Sequence, residues 1–276
     1  MKCPVTLRTL ALCALFALYC SASTAHARDE YQLSLPLDIT LSVTALAASG
    51  LGTYLYNQMD VLHPTELRNR NEFLPWDRRV LGTYSETAQT MSHIGAALAV
   101  APLAIGGITW YSGASNGTEF GTFTLMFVQS ILFQNGINLA TRSLQIWPRP
   151  YIYSESENGP VAGKKAAAEA KGEAYGSFFS GHASAAFTVA VFTSEWFDYI
   201  YPNSANSSLV RALAFSLAGL ESVFRVAAGK HYPTDILVGA LVGTGVSYGI
   251  LTLHKKRNEK FSLWVGPGVA GVTLRY

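Results

Sequence analysis

Cysteine is nearly absent from this chain of 276 residues. The three present, Cys3, Cys13 and Cys20, all fall in the first 20 positions. Once that segment is removed no disulfide can form, which excludes a disulfide-stapled secreted scaffold. Charge is scarce as well: Asp, Glu, Lys and Arg make up 14% of the residues, against about 25% in an ordinary soluble domain. Hydrophobic residues stand at 49%, a usual level, so the charges have been cleared from particular places. None occurs from Ile39 to Met59, Thr87 to Thr118, Phe120 to Thr141, Ala174 to Ser194 or Ile236 to His254. Each gap can hold a helix of membrane-spanning length, about 20 residues. The chain also lacks a D-x-D-x-D-G loop, an H-E-x-x-H pair and a P-loop glycine–lysine pattern, so no familiar metal or nucleotide motif is present. Net charge is only +2, from 20 basic and 18 acidic residues. Without Lys2 and Arg8 the balance is zero, and nothing points to nucleic acid.

The first residues read as a targeting segment. Lys2 and Arg8 give a basic start, LALCALFALYC a short apolar core, and Ala25-His26-Ala27 an A-x-A site. This is the pattern of a secretory signal peptide spanning 1–27, with an uncleaved anchor as the competing reading. Tyr19 ahead of Cys20 is too bulky for a lipoprotein site. Leu209 to Val226 makes one more helix, marked by Arg211, Glu221 and Arg225. No tandem repeat and no strand alternation appear through this region, and small residues (Ala47 to Gly50, Gly95 to Ala101, Gly239 to Gly245) suit close helix packing. The expected fold is all-α, a bundle of about six helices forming one domain over 28–260. A tail at 261–276, alternating around Gly266-Pro267-Gly268, reads as a short β-hairpin. The polar stretch Ser154 to Tyr175 reads as a loop beside the site, with a helical piece around Lys164 to Ala170.

Three clusters carry the chemistry. In FRVAAGKHYPTD, Arg225 offers a phosphate clamp, His231 a nucleophile and Asp235 a carboxylate to orient it. A helix beginning near Pro233 puts His231 and Asp235 about one turn apart. A carboxylate on one imidazole nitrogen fixes the tautomer and leaves the other free to attack. In SFFSGHASAAF, Ser180 is a natural N-cap, so backbone N–H groups and a hydroxyl collect where an anion can bind. Gly181 permits close approach, and His182 is placed to protonate a leaving oxygen. In TRSLQIWPRPY, Arg142 and Arg149 supply guanidinium groups for phosphate oxygens. His26, His63, His93 and His254 are scattered and read as surface or helix-packing residues.

Taken in order, Arg142-x6-Arg149-Pro150, Phe179-Ser180-Gly181-His182 and Phe224-Arg225-x5-His231-x3-Asp235 resemble the three-part signature of the type 2 phosphatidic acid phosphatase superfamily. That signature is K-x6-R-P, P-S-G-H and S-R-x5-H-x3-D, and the superfamily includes the vanadium haloperoxidases. The resemblance covers residues 70 to 255. Arg142 departs from the family lysine, Phe179 from a proline and Phe224 from a serine. The resemblance implies that Arg142, Arg149 and Arg225 bind phosphate together with Ser180 and the Gly181 N–H. It also implies that His182 is the general acid, that His231 forms a phosphohistidine, and that Asp235 orients it. Three arginines and a helix N-terminus can supply the charge stabilisation that phosphoryl transfer needs, so neither a metal nor another cofactor is expected.

The expected protein is a metal-independent phosphatase of a bacterial envelope, acting on a phosphorylated lipid or small phosphoester. The alternatives are a vanadate-dependent haloperoxidase and a non-catalytic membrane scaffold of the same fold. No protein partner is indicated. Lys255, Lys256, Arg257 and Lys260 after the last apolar helix mark a cytoplasmic side, which places His231 and Asp235 at the periplasmic end. Arg68, Arg70, Arg78 and Arg79 would then lie outside, against that rule. A cleaved N-terminus starts outside, so Ile39 to Met59 must lie along the surface unless the signal stays as an anchor. A core embedded in or associated with the inner membrane is favoured over a soluble periplasmic enzyme.

Overall fold

The structure, a computed structural model, describes residues 31–62, 67–154, 160–255, 261–266 and 269–274. The predicted signal segment at 1–27 and most of the basic cluster after Lys255 lie outside these residues. In chain order the helices are α1 (Leu35–Tyr56), α2 (Pro75–Arg78), α3 (Glu86–Ala96), α4 (Ala101–Tyr111), α5 (Gly117–Ser143), α6 (Val161–Ala168), α7 (Gly181–Ile200), α8 (Ser207–Ala227) and α9 (Pro233–His254). They are followed by strands β1 (Phe261–Gly266) and β2 (Val269–Leu274). The protein is an all-α bundle: α3 and α4 form one broken rod, and with α1, α5, α7, α8 and α9 they make six long rods. The tail closes as an antiparallel pair running from Phe261 opposite Leu274 to Gly266 opposite Val269.

Local chemistry sets the helix starts. Asn116 and Glu119 form a reciprocal capping box on α5, each side chain accepting the other's backbone N–H at 2.9 Å. Ser85 caps α3 through Ala88 N–H, and Ser180 caps α7 through Ala183 N–H. Pro36 and Pro233 occupy the first turns of α1 and α9, where a missing N–H costs nothing. The charge-free gap from Thr87 to Thr118 is not one continuous helix. Residues Ala97–Val100 tighten into a 3₁₀ turn ahead of Pro102, which has no N–H to continue the ladder.

The apolar core runs between α5 and α7, where Phe123, Met126 and Phe127 meet Phe192, Trp196 and Ile200. At the end of the bundle away from the three motifs, His254 is buried and ties α9 to α1. Its Nε2 lies 2.7 Å from Asp38 Oδ1 and its Nδ1 2.8 Å from the Ile250 carbonyl.

Beside the motifs, α9 lies so close to α7 that a Cβ on Gly243 would stand 2.1 Å from the Ser184 carbonyl, and one on Gly239 2.5 Å from the Ser180 carbonyl. Gly243→Val should therefore push apart the two helices that carry the site. We expect a loss of roughly 1–3 kcal/mol, read as a lower unfolding temperature in detergent solution; an unchanged temperature would mean the helices part freely.

Outward faces are apolar. On α8, Leu209, Leu213, Leu217 and Leu220 are half-exposed or more, while Ala218, Glu221 and Arg225 point inward and are buried. That is the reverse of a soluble amphipathic helix. Three helical stretches are long and apolar enough to cross a membrane: Leu35–Tyr56, Glu86–Tyr111 and Pro233–His254, of 22, 26 and 22 residues. Such lengths are consistent with a membrane-embedded bundle.

Candidate active site

All three motifs meet at one end of the bundle. The C-terminal ends of α5 and α8 bring Arg142 and Arg225, and the N-terminal ends of α7 and α9 bring Gly181-His182 and Asp235. The segment before α3 caps this end. Asp77 Oδ1 accepts Thr234 N–H at 3.0 Å, and Trp76 Nε1 donates to Thr234 Oγ1 at 2.9 Å, which holds α2 on the start of α9. Phe73, Leu81, Tyr153 and Tyr232 form a small aromatic core beneath it, with Trp147 packed alongside.

His231 is 2% exposed and Asp235 fully buried. Nδ1 of His231 lies 3.0 Å from the Ser177 carbonyl and 3.4 Å from Asp235 Oδ2. A carbonyl can only accept, so Nδ1 carries the proton and Nε2 keeps its lone pair. Nε2 makes no hydrogen bond among the described residues. The carboxylate is itself pinned: Oδ2 accepts from Ser177 Oγ at 2.5 Å and Tyr232 N–H at 3.0 Å, and Oδ1 accepts from Trp147 Nε1 at 3.2 Å. The pKa of His231 is held well below its usual 6.5, first by burial and then by Arg225, Arg149 and Arg142. Its neighbour Lys230, lying over the rings of Tyr151 and Tyr84, is lowered to about 8, first by burial and then by Arg149 and Arg225.

His231 opens onto a cavity of about 660 Å³. Arg142, Arg149, Gly181, His182 and Arg225 share its wall. Arg225 Nη1 donates to Ser92 Oγ at 3.0 Å. Nε of Arg225 and Nε of Arg149 are buried without an acceptor among the described residues. Arg142 is differently used: Nε donates to the Gly176 carbonyl at 2.8 Å and Nη2 to the Glu173 carbonyl at 3.0 Å, with its guanidinium over Tyr56 at 4.6 Å. It shapes the turn ahead of α7 while presenting an edge to the cavity. Ser180 does not reach the wall among the described residues. It is fully buried, its hydroxyl caps α7, and its N–H donates to the Asp235 carbonyl at 3.0 Å. The N–H groups of Gly181 and His182 stand in the first turn, where a helix has no acceptors of its own.

Several participants escaped the sequence reading. Ser177 orders both His231 and Asp235. Trp147 reaches Asp235 across 88 residues. Asn138 donates to the Phe179 carbonyl at 2.6 Å and fixes the turn before Ser180. The ring of His93, read from sequence as a scattered residue, lies edge-to-face with His182 at 6.2 Å between centroids. Trp147 and Ser177 sit inside or beside the motifs, so their neighbourhood was visible; Asn138 stands out in the sequence only as a polar residue in an apolar stretch, and for His93 no sequence signal exists. Among the described residues no three His, Cys, Asp or Glu side chains converge as a metal site.

The family model described as the PAP2 superfamily matches residues 123–259, the stretch that contains all three motifs. The chain belongs to the PAP2 superfamily. Membership supports a phosphatase-type or related activity, since some members are haloperoxidases. No curated protein and no solved structure matches it.

Proposed function

We propose that the chain hydrolyses a phosphomonoester or diphosphate, with a lipid phosphate as substrate, through a phosphohistidine on His231. The observation that carries this is the convergence on one cavity of a histidine nitrogen with a free lone pair and two arginine Nε groups without acceptors. A phosphoryl group supplies the acceptors and the electrophile together. Arg149, Arg225 and the N–H groups of Gly181 and His182 hold its oxygens, and Arg142 adds charge. Nε2 of His231 attacks phosphorus in line, and the bond to the leaving oxygen breaks. His182 gives that oxygen its proton. A water then loses a proton to His182 and attacks the phosphohistidine, releasing phosphate and restoring both histidines. Asp235 and Ser177 keep Nδ1 protonated and the ring oriented throughout.

The cavity supports a lipid. Below the phosphate end its wall is apolar, with Ala185, Val189, Ala214 and Leu217. Along α8 it runs from Arg225 back to Val210, about 22 Å at 1.5 Å per residue. Leu213 and Leu217 line it and are half-exposed at the bundle surface, so an alkyl chain could enter from the side. We place the protein in a bacterial envelope with this end facing the periplasm. In this reading 1–27 is the signal, 28–260 the phosphatase domain and 261–276 the tail.

The test is phosphate release over a panel of lipid phosphates and diphosphates, with and without chelator. Activity should persist in excess EDTA, because guanidinium groups hold the phosphate. Orthovanadate should inhibit as a mimic of the trigonal-bipyramidal transition state. Loss in EDTA with recovery on added magnesium would overturn the mechanism. Peroxide-driven bromide oxidation with vanadate, without hydrolysis of any phosphate, would favour the haloperoxidase reading.

A further inference from the structure

Glu221 has no role in the mechanism above, yet it lies in the same cavity wall. It is 5% exposed, and both of its carboxylate oxygens are buried with no hydrogen-bond partner among the described residues. Its methylenes pack over Gly95 of α3, where a Cβ would stand 2.8 Å from Glu221 Cγ. A buried carboxyl without a donor is costly, more so than a neutral polar group. Its placement relative to the phosphate end is regular. Glu221 stands four residues before Arg225 on α8. Gln134, whose Oε1 is also buried without a partner, stands four residues before Asn138 on α5. Both helices end at the phosphate site, so Glu221 lies one turn deeper than Arg225, about 6 Å along the axis, and Gln134 two turns deeper than Arg142, about 12 Å. Donors therefore stand at the phosphate level and the partnerless Glu221 carboxyl one turn below, in a wall that is largely apolar.

We infer that Glu221 is a specificity residue that accepts a hydrogen bond from a donor on the substrate, carried on the carbon next to the one bearing the phosphate ester. This rests on the phosphatase reading above and narrows its substrate class. The preferred substrate is a phosphate whose lipid anchor begins with a donor-bearing linker, either a hydroxyl, as on a glycerol unit, or an amine. Plain alkyl or prenyl phosphates have no group to meet Glu221 and leave its carboxyl unsatisfied.

Three probes of equal chain length isolate the effect: decyl phosphate, 2-hydroxydecyl phosphate and 2-aminodecyl phosphate. In the native protein kcat/KM for at least one donor-bearing probe should exceed that for decyl phosphate by about tenfold to a hundredfold, the range for a hydrogen bond to a charged group. Whichever of the two is preferred identifies the donor as hydroxyl or ammonium. Glu221→Leu should bring the ratio to near one, and Glu221→Gln, which still accepts, should retain part of it. Decyl phosphate serves as an internal reference on each preparation. A native ratio near one, or a ratio unchanged in Glu221→Leu, overturns the proposal. So does an equal loss on all three probes in both variants, because Glu221 would then act by supporting Arg225. A folded native protein inert toward every phosphate would instead overturn the phosphatase reading itself.

Discussion

His231→Ala should abolish turnover, by more than about a thousandfold, while His182→Ala should remain partly active on a substrate with a good leaving group. The two histidines share the cavity but are built differently. His231 is buried, its Nδ1 committed to the Ser177 carbonyl and Asp235, its Nε2 free. His182 sits in the first turn of α7, with no hydrogen bond to its ring among the described residues and the edge of His93 beside it. Burial first, then Arg225, His231 and Arg149, lower its pKa to about 2, so it takes up its proton once a phosphate dianion offsets the arginines. A fixed tautomer suits a nucleophile, and a loosely held ring suits a group that gives and retakes a proton. With an alkyl phosphate the leaving alkoxide needs that proton, and loss of His182 should cost about 10²–10⁴-fold. With p-nitrophenyl phosphate the leaving group departs unaided and the cost should shrink. Rapid quenching of His182→Ala on this ester should trap an acid-labile, alkali-stable phosphohistidine. Undiminished trapping in His231→Ala would move the nucleophile elsewhere, and His182 itself would be the first candidate.

The sequence showed the helices through their missing charges, and three of the stretches agree with the structure to within a few residues. Ile39 to Met59 became Leu35–Tyr56, Phe120 to Thr141 became Gly117–Ser143, and Ile236 to His254 became Pro233–His254. The gap from Ala174 to Ser194 fits less well, for two physical reasons. Its first residues are a buried turn, held by Arg142 through the Glu173 and Gly176 carbonyls, so absence of charge there marks the site and not a helix. Past its end, the helix continues through Glu195 and Asp198 because Arg211 of α8 lies within 3.6 and 2.5 Å of their carboxylates. The loop helix arrived as Val161–Ala168, displaced by a few residues from Lys164 to Ala170. Boundaries in such a run depend on how it docks; here Gly163 lies against Ser154 and Tyr84.

The site was legible to the extent that its residues are consecutive. Spacing alone places His231 beside Asp235, because Pro233 starts a helix between them. Ser180 was legible as an N-cap, and it is one; what the sequence cannot show is that this use leaves its hydroxyl outside the cavity wall, or that Arg142 spends two donors on the backbone. Those uses are set by which partners the fold delivers. The role of Ser177 was hidden too: a serine three residues before Ser180 carries no signal of its own until α9 brings Asp235 against it from 58 residues away. Glu221 was visible only as one of three charges marking a helix, and its isolation inside an apolar wall is a property of the packed bundle.

Arg225→Gln should be the most damaging change outside the two histidines, and it should shift the pH profile as well as the rate. Arg225 is 4% exposed, held at Nη1 by Ser92, with Nε unpartnered. Removing one preorganised donor of this kind costs about 10²–10³-fold in rate. The pH effect follows from the nucleophile. His231 attacks only when neutral, and its pKa is lowered well below 6.5 by burial first and by Arg225 next. In the native protein the acid limb of kcat/KM belonging to His231 should therefore lie well below 6.5. Loss of the Arg225 charge removes one cause of that lowering, raises the histidine pKa and moves the limb to higher pH. Arg225→Lys separates charge from shape: it loses the forked guanidinium and much of the rate, but keeps a cation and hence most of the low limb. Profiles for all three proteins on one substrate cancel the substrate's own ionisation. A limb that stays fixed in Arg225→Gln would assign it to a group other than His231, and one that moves to lower pH would reverse the sign argued from the arginine cluster.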